Sequence, residues 1–323
     1  MTEPASGPPG PLPTNDNNPL KSDLRLSDDL LMGLRFFSRL PTGSAPHVRP
    51  NLSRIALALP FTSVVIGAGP VAVLLGLEWL NVPHLFAVAA AVAAMVAVTG
   101  AMAEDALADA MDGLFGGHDI ERRLEIMKDS RHGTYGVCAI VLLLALRITA
   151  VGSIANPLAA AGVWLAAGVM ARSGALWLTV ALPPARSGGA AATADRVSRQ
   201  AFGIGAVFMV VLSFVLSAFA VGVFGLILAY ALGALVVWGW VTLCRRLVGG
   251  QTGDLIGALT ALLEVTALAL PPSSRALWRR RLQCHEAAGQ HQIDGAPRTP
   301  MSASRTGRVP LGLTPRAPMP KAK

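Results

Sequence analysis

The sequence predicts an all-α fold, a polytopic integral membrane bundle of about six to seven transmembrane helices. Three observations predict it. Hydrophobic residues make up 53% of the 323 and charged residues only 14%, a balance too apolar for a water-soluble domain. Apolar runs separated by short polar stretches recur along the chain, several near the ~20 residues that a helix needs to cross a bilayer. Lysine and arginine gather in alternate connections, the pattern that marks cytoplasmic loops.

Residues 1–27 are rich in Pro, Gly and Asn and predict a disordered leader. They lack the basic start and apolar stretch of a signal peptide. In "DDLLMGLRFFSRLPTGS", Leu30, Leu34 and Phe37 recur at helical spacing, with Arg35 and Arg39 elsewhere on the surface. This predicts an interfacial or short packing helix that ends near Pro41. Apolar runs follow at roughly 55–76, 84–103, 136–154, 158–182, 201–221 and 223–243, with a last one reaching about Leu270. Residues 28–270 thus read as one membrane-embedded domain, and 271–323 as a disordered basic tail.

Connections 21–54, 104–135, 183–200 and 244–254 hold nearly all the Lys and Arg outside the tail; those near 77–83, 155–157 and 222 hold none. The basic set is therefore expected in the cytoplasm. Seven crossings would leave the tail's arginines on the far side, unless the last run does not fully cross. The net charge of +8 comes largely from that tail, where Arg275, Arg279, Arg280 and Arg281 open a basic stretch opposed only by Glu286 and Asp294. No basic-aromatic surface or known module accompanies it, so no nucleic-acid partner is expected. Cys138, Cys244 and Cys284 show neither CxxC nor zinc spacing, and no disulfide framework is indicated.

The chemistry concentrates in "AEDALADAMDGLFGG", residues 103–117, between two apolar runs. Asp105, Asp109 and Asp112 stand at i, i+4 and i+7 and so share one helix face. Carboxylates on one stripe repel unless a cation sits among them, and hard oxygen ligands of this kind suit Mg2+. Glu104 lies one residue's rotation off the stripe, as an outer contributor. A solvated amphipathic face is the plainer reading, but ionisable groups abutting an apolar span are functional by default.

"ERRLEIMKDSRHGTYG" follows, with Glu121, Glu125 and Asp129 at four-residue spacing and Lys128 and Arg131 flanking Asp129 and Ser130. Acids for a metal beside bases for phosphate point to phosphoryl or nucleotidyl transfer. A surface helix laced with i,i+4 pairs is the alternative. Arg147 and Arg172 lie inside apolar runs, where a guanidinium needs a partner: a substrate phosphate or the carboxylate stripe. Arg172 is also read as a residue that snorkels to a helix end. In "GGQTGDLIG", Thr252 or Asp254 would cap a helix start whose amides can receive a phosphate.

Residues 99–136, "TGAMAEDALADAMDGLFGGHDIERRLEIMKDSRHGTYG", strongly resemble the cobalamin synthase family, the adenosylcobinamide-GDP ribazoletransferases. The family's hallmark is an HxDGLADxxDG segment followed by an RxxEIMxDSxxGTxG segment. The match runs through Asp105, Asp109, Asp112 and Gly113, then Arg123, Glu125, Asp129, Ser130, Gly133, Thr134 and Gly136. Ser38-Arg39-Leu40-Pro41 is similar to the family's (T/S)R(I/L)P, and Gly249 to Ala258 to its GGxTGDxxGA. This chain departs at Ala103, where many members have His, and at Ala106, where they have Gly. It also carries Leu259, Thr260 and Ala261 where a polar pair is common, and its tail is long.

The resemblance implies a membrane enzyme late in vitamin B12 assembly. A hydroxyl of α-ribazole, or of its 5′-phosphate, attacks the phosphate joined to cobinamide in adenosylcobinamide-GDP, and GMP leaves. It implies Mg2+ held by Asp105, Asp109 and Asp112 with Glu104, phosphates met by Arg131, Lys128 and Arg147, and Asp129 or Glu125 taking the proton. Arg39, Arg123, Ser130, Thr252 and Asp254 are assigned to substrate binding. It implies a multi-pass protein of the bacterial inner membrane with its site facing the cytoplasm, and leaves open association with other late B12-pathway enzymes. Two other classes share features with the chain. A CDP-alcohol phosphotransferase also carries an Asp-x-x-Asp-Gly segment, but Gly116-Gly117 replaces its Ala-Arg. An ion-coupled transporter would show an internal repeat and more deep polar residues.

Overall fold

The computed structural model describes residues 26–43, 51–129, 131–186 and 196–269. Most of the expected leader, all of the expected tail, and Ser130 lie outside them. Among the described residues ten helices follow in order: α1 (Leu26–Phe37), α2 (Leu52–Trp79), α3 (His84–Thr99), α4 (Met102–Gly116), α5 (Ile120–Ile126), α6 (Thr134–Gly152), α7 (Pro157–Ala175), α8 (Trp177–Ala181), α9 (Arg199–Leu247) and α10 (Gly253–Leu268). The only extended pairing among the described residues is an isolated bridge between Pro184 and Gln251. The all-α prediction is met.

Helix starts follow sequence signals. Asn51, Asn156 and Ser198 accept from the backbone N–H three residues on, and Pro157 follows Asn156 at the first helical position. Four helices are long and apolar enough to span a membrane: α2, α6, α7 continued through α8, and α9; the bent pair α3–α4 makes five. Helix α9 runs over 49 residues but breaks at Gly222 (φ 75°, ψ 168°). The Ser213 hydroxyl meets the Tyr230 hydroxyl, 17 residues along. At 1.5 Å rise per residue a straight helix would hold these residues about 25 Å apart, so α9 folds back into two arms. This adds an arm to either figure. The count of six to seven remains an expectation, because α10, at 16 residues, is short for a span.

Three apolar clusters hold the described residues together, the smallest around Ile55, Leu59 and Leu176. One joins α2, α3, α6, α7 and α9 around Ile66, Leu74, Val88, Val151 and Trp164. Another packs α4 against α10, α7 and α9 through Leu107, Leu114, Leu143, Leu255 and Leu259. Val207, Val211, Phe214, Val215 and Phe219 on α9 stay exposed, the surface expected of a helix facing hydrocarbon. The basic connections meet one another across the fold. Ser198 N–H donates to Ser53 Oγ (3.0 Å), Arg123 to the Leu247 carbonyl (3.0 Å), and Ala185 N–H to the Gln251 carbonyl (2.9 Å).

Candidate active site

The site begins at a bend. Gly100 (φ 65°) and Ala101 (φ 57°) both adopt left-handed backbone, and α4 departs from α3 at 82°. Glycine enters that region freely, whereas alanine pays about 1–2 kcal/mol. Arg39 braces the turn: its N–H donates to the Val98 carbonyl (2.7 Å), and its side chain lies where a Cβ on Gly100 would sit 2.6 Å from Nε. From the sequence Arg39 was expected to bind substrate; in the structure it supports the bend.

Beyond the bend the three stripe aspartates diverge in environment. Asp105 is exposed, Asp109 half-buried and Asp112 buried. Asp105, Asp109 and His132 each offer one ligand atom, and these atoms all lie within 4.8 Å of one another. His132 Nε2 is 3.7 Å from Asp105 Oδ1, and Nδ1 is 3.5 Å from Asp109 Oδ1. These spacings are longer than good hydrogen bonds. Asp112 turns inward instead. Its carboxylate accepts from Gly133 N–H (2.6 Å) and Gly136 N–H (2.9 Å), fixing the start of α6. A Cβ on Gly133 would come 2.6 Å from Asp112 Oδ1, so this close approach requires glycine. The metal set read from the sequence thus gains His132, while Asp112 holds the loop that delivers His132.

Burial, and next the neighbouring Asp105 carboxylate, push Asp109 up to about 6. Burial also raises Asp254, at the first turn of α10, against the opposing effect of Arg186. Two carboxylates with an adjoining imidazole fit a small divalent ion that keeps several waters, the habit of Mg2+, although the imidazole also suits transition metals.

One residue away the chemistry is closed. Arg147 donates to Glu104 (2.6 Å) and to Glu264 (2.8 Å), and Trp164 Nε1 donates to Glu264 (2.9 Å). All four are buried. Glu104, expected among the metal ligands, is therefore held in an ion pair, and Arg147, expected on phosphate, lies between two glutamates. The guanidinium found its partner beside the stripe rather than on it. Arg172 is buried too, but its contacts are a long one to the Gly168 carbonyl (3.4 Å) and one to Met95 sulfur (3.7 Å). No carboxylate reaches ion-pair distance among the described residues. A cavity of about 350 Å3 runs from Asp105 and Asp254 inward to Glu104, Arg147, Arg172 and Glu264, with Phe36 and Phe37 of α1 along one wall.

The other expected site residues spread over the loop between α4 and α6. Arg123 bonds the Leu114 carbonyl (3.3 Å) and the Leu247 carbonyl (3.0 Å), a tie between loops rather than a free cation. Glu125 pairs with Arg122 (2.6 Å) at the surface. Arg131 grips Asp129 through both carboxylate oxygens, and those hydrogen bonds hold Asp129 down to about 2. A carboxylate so acidic is a poor proton acceptor near neutral pH, contrary to the role expected of it. Lys128 is exposed. Thr252 accepts from Leu255 N–H and caps α10. The sequence reading passed over His132 and Glu264. His132 sits inside the quoted motif, so its place beside two acids was the available signal; Glu264 was marked only by being a charge in an apolar run.

Comparison with known proteins identifies the family of the chain. The cobalamin-5-phosphate synthase family model matches residues 29–270. An adenosylcobinamide-GDP ribazoletransferase of Azorhizobium caulinodans is 39% identical over 250 residues, 76% of this chain and 95% of the relative. That of Xanthobacter autotrophicus is 41% identical over 258 residues, covering 76% and 95%. One from a Sinorhizobium species is 39% identical, covering 75% and 94%. No solved structure matches the chain. The chain belongs to the cobalamin-5-phosphate synthase family.

Proposed function

We propose that this member of the family is an adenosylcobinamide-GDP ribazoletransferase. It transfers phosphocobinamide from adenosylcobinamide-GDP to α-ribazole, or to its 5′-phosphate, releasing GMP. The observation that carries the reading is the Asp105–Asp109–His132 cluster, standing on the matched motif at the mouth of a cavity. In the transfer, the acceptor hydroxyl oxygen bonds the cobinamide-linked phosphorus as the bridging P–O bond of the diphosphate breaks. The hydroxyl proton goes to the enzyme, and GMP carries away the bridging oxygen.

Mg2+ is the proposed ion, held by Asp105 and Asp109 with His132 alongside, and when bound it supplies charge stabilisation to the diphosphate oxygens. Asp112 keeps His132 in place through Gly133 and Gly136. Asp254 lines the cavity with Asp105, and burial keeps it more basic than an ordinary carboxylate. It is therefore a better acceptor for the hydroxyl proton than Asp129. Arg131 and Lys128, exposed on the loop before His132, are left to meet the guanylyl phosphates as they arrive. The basic connections that converge here support a cytoplasmic site in the bacterial inner membrane.

The test is direct. Protein purified in detergent, given adenosylcobinamide-GDP, α-ribazole and MgCl2, should release GMP, followed by chromatography, and EDTA should stop it. A folded sample that releases none sinks the reading; full activity in EDTA sinks the metal assignment.

A further inference from the structure

The cavity behind the acid cluster has a chemistry of its own. Its volume, about 350 Å3, lies at the low end of ligand sites, which span ~300–1,000 Å3. That is room for a compact nucleoside and too little for a corrin macrocycle joined to a nucleotide. Its inner charges balance: Arg147 and Arg172 against Glu104 and Glu264. Its mouth carries Asp105 and Asp254.

Three features favour an aromatic ligand with hydroxyls. Phe36 and Phe37 stand edge to face, ring centroids 4.9 Å apart, and both line the cavity. Planar rings suit aromatic side chains presented this way. Arg172 is buried, and its two weak contacts leave guanidinium donors without a good acceptor. Thr99 and Thr260, also on the lining, donate to the Met95 and Ile256 carbonyls, and their hydroxyl oxygens remain able to accept.

We infer that this cavity is the subsite for the acceptor nucleoside: its base lies against Phe36 and Phe37, and its ribose oxygens accept from Arg172 and meet Thr260. The inference rests on the transferase reading and deepens it. The attacking hydroxyl then faces outward past Asp254, toward the ion-bound diphosphate at Asp105. Each substrate enters from its own side, and the two meet at the mouth.

Arg172→Gln and the near-isosteric Thr260→Val test it, with two readouts on wild type and variants in detergent. Steady-state GMP release should show the KM for α-ribazole raised about tenfold or more in Arg172→Gln, which loses a charged donor, and about threefold in Thr260→Val, which loses a neutral hydroxyl, while the KM for adenosylcobinamide-GDP stays within about twofold. Equilibrium dialysis of α-ribazole alone should show saturable binding to wild type, weakened in both variants. If Arg172→Gln does not fold, Thr260→Val carries the test. KM values that rise together, or dialysis binding unchanged in Thr260→Val, would overturn the subsite. Wild type that binds α-ribazole but releases no GMP would leave the subsite standing and overturn the transferase reading instead.

Discussion

Glu104 and Asp105 are neighbours in the chain, yet their carboxylates belong to opposite kinds of site. About 100° of helix rotation separates them. Glu104 points into the bundle, where Arg147 and Glu264 complete a closed network with Trp164. Asp105 points to the rim, where Asp109 and Asp254 add negative charge and His132 and Arg186 oppose it. The inner group is balanced by ion pairs and serves the fold. The outer group is short of positive charge and serves a ligand. Being acidic, or abutting a membrane span, does not separate the two; what each carboxylate already touches does.

The largest way to break this contrast is Arg147→Met. Two buried glutamates would then keep only Arg172, at longer range, and leaving a buried charge uncompensated costs about 3–5 kcal/mol. Unfolding in detergent should shift by that much or the protein should fail to accumulate. Removing the matching charge as well, R147M with E104Q, should recover most of the loss, because Glu264 still faces Arg172. A stable single variant would show that the inner group is not closed.

Asp109→Asn should do the reverse. Turnover should fall ~10²–10³-fold, the loss typical of one group aimed at developing charge, while unfolding stays put or improves as repulsion with Asp105 is relieved. GMP release and a melting curve on one sample separate the outcomes. Full turnover would remove the ion from this account.

Asp112 lies between the two kinds. In Asp112→Asn one amide hydrogen faces a donor that the carboxylate used to accept, and an unsatisfied buried donor costs ~1–3 kcal/mol. Hydrogen exchange should rise at residues 133–137, and turnover should fall with it because His132 loses its mooring. Lost turnover with unchanged exchange would instead make Asp112 a direct ligand, as its place on the stripe first implied.

The helices were legible because apolar length is a local property. Run 84–103 became α3, run 136–154 became α6, and the pair of runs around 222 became the arms of α9. The i, i+4, i+7 stripe was legible for the same reason. The 82° bend was not, because Ala101 carries no signal for positive φ. Nor was the division of labour among the acids: Glu104 and Glu264 reach Arg147 across 43 and 117 residues of chain, and only the packing of α4, α6 and α10 brings them together. Arg147's need for a partner could be read from one residue; the identity of the partner required the fold.

The mildest test concerns charge that belongs to neither group. Arg131 is exposed and held by Asp129 alone, so it contributes little to the fold, and Arg131→Gln should leave unfolding unchanged. If it meets the guanylyl phosphates, its removal should raise the KM for adenosylcobinamide-GDP about tenfold, ~1.4 kcal/mol, with the α-ribazole KM unmoved. A contact made in solvent is screened, so the penalty should shrink as ionic strength rises and the Debye length falls toward about 3 Å at 1 M. Asp129, freed of its partner, should titrate above its present value of about 2. A drop in kcat with both KM values unchanged would instead put Arg131 at the reacting phosphate, and the outer group would then extend across the loop to include it.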